Sequence, residues 1–142
     1  MKSLLSLLLI LSMTACSTKN SESKDSFEEW KEMQSLHEIM ADAFHPYKDS
    51  ANLAPARELA KELMEQSSSW AEASLPERVN NDDMKMKLQS LKDKAKSFWD
   101  LQNQNLSDSI MAASLAELHD SFHKIQEGWF KAGKEVGHEE HH

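Results

Sequence analysis

Between residues 84 and 102 the apolar positions fall at Met84, Leu88, Leu91, Ala95 and Phe98, with Gln102 closing the series and mostly lysine, aspartate, serine and glutamine between them. Steps of four and three place these side chains on one side of an α-helix, so the stretch predicts a helix with one buried face. Asp82 or Asp83 is positioned to cap it. The chain beyond repeats the pattern with Leu115, Leu118, Phe122, Ile125 and Trp129. There Ser107 stands as the cap, Leu106 and Met111 bracket the first turn, and Gly133 is a terminator. Upstream, Leu59, Leu63 and Trp70 mark another helix, entered at Pro55 and left at "SLPERVNND". The first helix has Ser26 and Glu29 as a reciprocal cap and Trp30, Met33, His37, Met40 and Phe44 as its stripe, with Pro46 as its stop. Glycine is scarce, at three residues, and no segment alternates with period two, so no strand is expected. Four helices of about 20 residues joined by short loops imply an all-α, up-down-up-down four-helix bundle over residues 26–133.

In that topology the first and last helices are antiparallel neighbours. Pairing Trp30 with the region of Trp129 sets residue n of the first helix level with about residue 157 minus n of the last, at about 1.5 Å per residue. His37 then faces the neighbourhood of residue 120. Trp30, Trp70 and Trp129 gather at one end, where their rings should close the core.

The ends of the sequence have a different character. Residues 1–15 combine Lys2 with the apolar run Leu4 to Leu11, too short to span a bilayer, and read as an export signal. The run ends in "MTAC", which resembles a bacterial lipobox with Met13 in place of the usual leucine. That resemblance makes Cys16, the sole cysteine, the site of lipidation and the chain a lipoprotein of the cell envelope, membrane-held through its lipid. Ser17 in place of an aspartate favours the outer membrane, facing the periplasm. Residues 16–25 are a polar tether, and residues 134–142 a histidine- and glutamate-rich tail. With 16 basic against 24 acidic residues the formal charge is −8, which argues against nucleic-acid binding and leaves cation binding open.

Seven histidines carry the remaining chemistry. His119 and His123 are one turn apart on the last helix, so both imidazoles leave the same side and can hold one ion. With His37 at the same level on the first helix and Met40 one turn further, they form a candidate site for Zn or Cu. His45 lies about 12 Å beyond His37 along the axis, too far to share that ion. It is expected to lie against the carbonyls at the end of the first helix. His45, and His138, His141 and His142 of "GHEEHH", are candidates for a secondary metal site.

"LAELHDSF", residues 115–122, resembles the CxxCHxxF/Y segment of the four-helix cytochromes of the c-prime class, with Leu115 and Leu118 where the two cysteines would stand. The resemblance makes His119 the axial ligand. The b-type relative implies His123 with Met33 or Met40 around a non-covalent haem b. Lacking both cysteines, this chain cannot hold haem through thioethers. No nucleophile motif or phosphate loop is present, so an enzyme is not expected. The expected function is reversible metal binding by an envelope-anchored bundle. The alternatives are a b-type haem protein, or an adaptor whose apolar surface meets another envelope protein.

Overall fold

Asn81, extended and immediately ahead of a run of helical residues, accepts the backbone N–H of Met84 at 2.9 Å through its side-chain oxygen. This cap opens helix α3, Asp82–Gln102, and lies one residue before the expected aspartates, which occupy the first turn instead. There they stabilise the positive end of the helix dipole. The computed structural model describes residues 30–104 and 106–136, and among these it contains three further helices: α1, Lys31–Ser50; α2, Ala54–Glu72; and α4, Asp108–Val136. A 3-10 turn, Glu77–Val79, lies between α2 and α3, and no strand occurs among the described residues. Consecutive helices pack side by side and α4 returns against α1, as the expected four-helix bundle requires. The leader 1–15, Cys16, the tether 16–25, the Ser26 and Glu29 cap and the tail histidines His138, His141 and His142 lie outside the described residues.

The stripes of α3 and α4 are buried as the pattern predicts. Met84, Leu88, Leu91, Ala95 and Phe98 face Met111, Leu115, Leu118, Phe122, Ile125 and Trp129, all at most 3% exposed. On α2 the buried line is Ala56, Ala60, Leu63, Ser67 and Trp70, with Leu59 packed at its margin. The face of α1 differs from the expected one. Met33, Leu36, Met40 and Ala43 are buried, whereas His37 is exposed and Phe44 half-buried. Leu36 and His37 both fit a three-and-four spacing. Burying the leucine removes about 1.5–3 kcal/mol worth of apolar surface from water, while burying the imidazole would require a hydrogen-bond partner.

Two expected helix ends are also displaced. Proline removes one N–H and crowds the carbonyl four residues earlier, yet α1 runs through Pro46 to Ser50 before ending at Ala51, which adopts the left-handed conformation (φ 56°, ψ 21°). Ala51 N–H donates to the Tyr47 carbonyl at 2.7 Å, and the Pro46 carbonyl accepts from Asn52 N–H at 3.2 Å and from the Ser50 hydroxyl at 2.9 Å. The carbonyls that a proline stop would have left open are therefore engaged later. Gly133 does not end α4, which continues to Val136. A helical glycine costs about 1 kcal/mol relative to alanine, too little to stop a 29-residue helix already anchored by its buried stripe.

Trp30, Trp70 and Trp129 meet at one pole as expected. Trp30 lies edge-on to Trp70 with centroids 5.0 Å apart and tilted against Trp129 at 5.2 Å. The 3-10 turn brings the Arg78 guanidinium over the Trp129 ring, 3.1 Å from its centroid, and buries Val79 beside it. Sequence pattern alone assigned no role to this turn.

Candidate functional site

On α4, His119 and His123 are one turn apart and partly buried, at the outer edge of the seam with α1. Their rings are nearly perpendicular, and their Nε2 atoms lie 3.0 Å apart. One of the two must carry a proton and donate to the other, so the pair holds at least one neutral imidazole. The Nδ1 atoms face oxygen. His123 Nδ1 is 3.0 Å from Gln126 Oε1, and His119 Nδ1 is 4.0 Å from Asp120 Oδ1. An Nδ1–H that donates to the Gln126 carbonyl leaves the His123 Nε2 lone pair aimed at His119, the tautomer that suits metal ligation through Nε2.

Helix α1 contributes ring surface to this place. Phe44 stacks flat on His119, centroids 3.7 Å apart and planes within 8°. The contact excludes water from one face of the imidazole. Desolvation is accordingly the main cause that pushes the His119 pKa below its ordinary value; His123 adds to the shift, as do His45 and Lys48 more weakly, while Asp120 opposes it. A neutral His119 needs only to pass its one ring proton from Nε2 to Nδ1, on the side of Asp120, to offer Nε2 to a cation.

The other candidates are distributed. His37 stacks on the buried Phe122 with centroids 5.5 Å apart and planes within 4°. With Trp30 level with Trp129, this sets residue n of α1 opposite about residue 159 minus n of α4, two residues from the expected register. The ring reaches α4 as anticipated, but from the solvent side of the seam and not from within it. Met40 is a core residue, 1% exposed. His45 is exposed, and because α1 ends five residues later it does not lie at the terminal carbonyls; its charge is instead felt at His119. Among the described residues no group of three or more His, Cys, Asp and Glu side chains is arranged to hold a metal ion. The structure thus pairs His119 with His123 and leaves His37 and Met40 outside the pair. Phe44 and Gln126, which fix the two rings, were not foreseen: both depend on rotamers and on register between helices.

A haem does not fit these residues as they stand. Phe44 covers His119, and Leu115, Leu118 and Phe122 are fully buried where an apolar slot would have to open. Two of the surface cavities formed by the described residues lie elsewhere. One, of about 470 Å³, is bordered by Leu75, Asn80, Lys85 and Leu88, and the other, of about 450 Å³, by Leu101, Ile110 and Glu117. No helix among the described residues is long and apolar enough to cross a membrane. In comparisons with known proteins, no family model, curated protein or solved structure matches the chain.

Proposed function

We propose that this is a lipid-anchored envelope protein whose helical bundle binds a transition metal ion, Zn or Cu, through His119 and His123. The observation that carries the reading is the 3.0 Å approach of two Nε2 atoms on one helix face, with Gln126 holding the Nδ1 of His123. In a tetrahedral site with metal–nitrogen bonds of 2.0–2.1 Å, two ligand nitrogens stand roughly 3.3 Å apart, so the rings need to open by only a few tenths of an ångström. The all-imidazole donor set favours a late first-row metal over Mg or Ca, which take oxygen. Protons compete with the metal for the imidazole nitrogens, so binding weakens as pH falls. The anchor rests on the resemblance of "MTAC" to a lipobox and on Cys16, and the outer-membrane placement on Ser17. Binding, rather than catalysis, is the reading we draw from a partly buried nitrogen pair with no nucleophile motif beside it.

Calorimetric titration of the chain carrying H138A/H141A/H142A with Zn(II) and Cu(II) tests the reading. Saturable binding is expected, lost in the added H119A/H123A background and kept in H37A. Equal affinity with and without His119 and His123 would refute it. A b-type haem requires Phe44 to swing away. A saturable Soret shift on hemin titration, abolished by H119A/H123A, would replace the metal reading with that one.

A further inference from the structure

We infer that His119 and His123 are half of a coordination sphere, completed by the same two residues of a second copy of this chain around one tetrahedral Zn(II). The inference rests on the metal-binding reading above and extends it to the source of the missing ligands. A closed zinc site takes four donors, and this chain holds two Nε2 atoms 3.0 Å apart with no third His, Cys, Asp or Glu grouped with them among the described residues. Asp120 lies on the Nδ1 side of His119, away from the paired nitrogens. Residues 1–29 contain no histidine.

The sequence length past α4 leaves the tail little reach to supply the other two. Helix α4 carries the chain to Val136, thirteen residues and about 20 Å past His123. His138 is two residues further on; at about 3.5 Å per residue the five residues to His141 span less than that distance, and the six to His142 only just cover it. A second copy meets no such constraint. The His119 side chain is 22% exposed and both rings stand at the outer edge of the α1–α4 seam, so a twofold axis through the ion brings two nitrogens from each side. Phe44 against one ring and Gln126 on the other hold the pair before the partner arrives, which lowers the entropy lost on assembly. Charge makes the association conditional. Two chains of formal charge −8 repel, and a dication on the axis supplies the attraction that the protein surfaces lack.

Sedimentation velocity on the full chain, with and without Zn(II) at pH 7.5, is the test, with bound zinc measured in the same samples. The expected result is a monomer in EDTA and a dimer holding one zinc per two chains. H119A and H123Q, the latter keeping a polar side chain, should each lower the zinc-dependent dimer fraction at least tenfold, while H138A/H141A/H142A leaves it intact. An equimolar mixture of the native chain with H119A/H123A should yield no mixed dimer. One zinc per monomer, with no change in mass, overturns the shared site and leaves metal binding by the pair standing. Loss of the dimer in the tail variant also overturns it, by assigning the ligands to the tail. Absence of zinc binding altogether removes both this inference and the reading beneath it.

Discussion

The same two helices, α1 and α4, meet in two different ways. At the tryptophan pole Trp30 and Trp129 are at most 2% exposed, and Trp70 and the Arg78 guanidinium close over them. Toward the middle of the seam the facing rings are His37, Phe44, His119 and His123, all partly or largely wet. Indole brings a large apolar surface with one N–H, so burying it stabilises the fold. Imidazole brings two nitrogens that are more use in reach of solvent than in a core. The contrast separates a region that holds the bundle together from one that the bundle holds in position.

The largest effect should come from the pole. Trp70→Ala is expected to cost about 3–5 kcal/mol in urea unfolding, because it empties a fully buried site touching Trp30 and Phe122. A loss under about 1 kcal/mol would move the stability centre elsewhere. At the seam, Phe44→Ala should cost only about 1–2 kcal/mol, since the ring is half-buried. The same substitution rehydrates His119 and should raise its pKa toward the ordinary range; an unchanged NMR titration of that imidazole would mean that Phe44 is not what desolvates it.

Ser67 offers a sharper probe of the pole. It is fully buried one turn before Trp70, and its hydroxyl has no hydrogen-bond partner among the described residues. Ser67→Ala should therefore stabilise the protein by about 1 kcal/mol, by removing an unsatisfied polar atom. The seam should respond to pH instead. The folded pKa of His119 is below its unfolded value, so the unfolded chain binds more protons in the interval between them. Stability is then full above about pH 6.5 and declines as pH falls from there to the folded pKa. His119→Gln should flatten that part of a stability–pH curve, and an unaltered slope would contradict the assignment. The smallest effect is expected at Ala51, whose φ of 56° suits glycine. Ala51→Gly should raise stability by about 0.5 kcal/mol, the relief of strain exceeding the added freedom of the unfolded chain.

Much of the fold was legible because the α3 and α4 stripes had no rival residues, whereas on α2 the spacing offered Leu59 where Ala60 is the buried one. The α3 and α4 cores follow the spacing directly, and counting residues around the bundle was enough to gather three tryptophans. On α1 the spacing was ambiguous. Leu36 and His37 are adjacent, as are Ala43 and Phe44, and a stripe through either member keeps the period. Only the cost of drying an imidazole chooses Leu36, and the small Ala43 side chain lies inward while Phe44 bridges outward to His119. The helix ends were misjudged where one residue type was read as decisive. Pro46 and Gly133 each weaken a helix locally, but the hydrogen bonds at the end of α1 and the buried stripe ahead of Gly133 outweigh them. Of the candidate site, the His119–His123 pair follows from helical geometry alone. Its surroundings, Phe44 above one ring and Gln126 beside the other, require side-chain rotamers and an interhelical register that spacing does not specify.

Because α1 enters at Trp30 and α4 leaves past Trp129, both described ends of the chain emerge from the same pole. The α1–α2 and α3–α4 connections share the opposite end, so the tryptophan cap is the gateway for both the chain before Trp30 and the chain after Val136. The imidazole pair sits between the two ends, on the flank, clear of either crowd of loops.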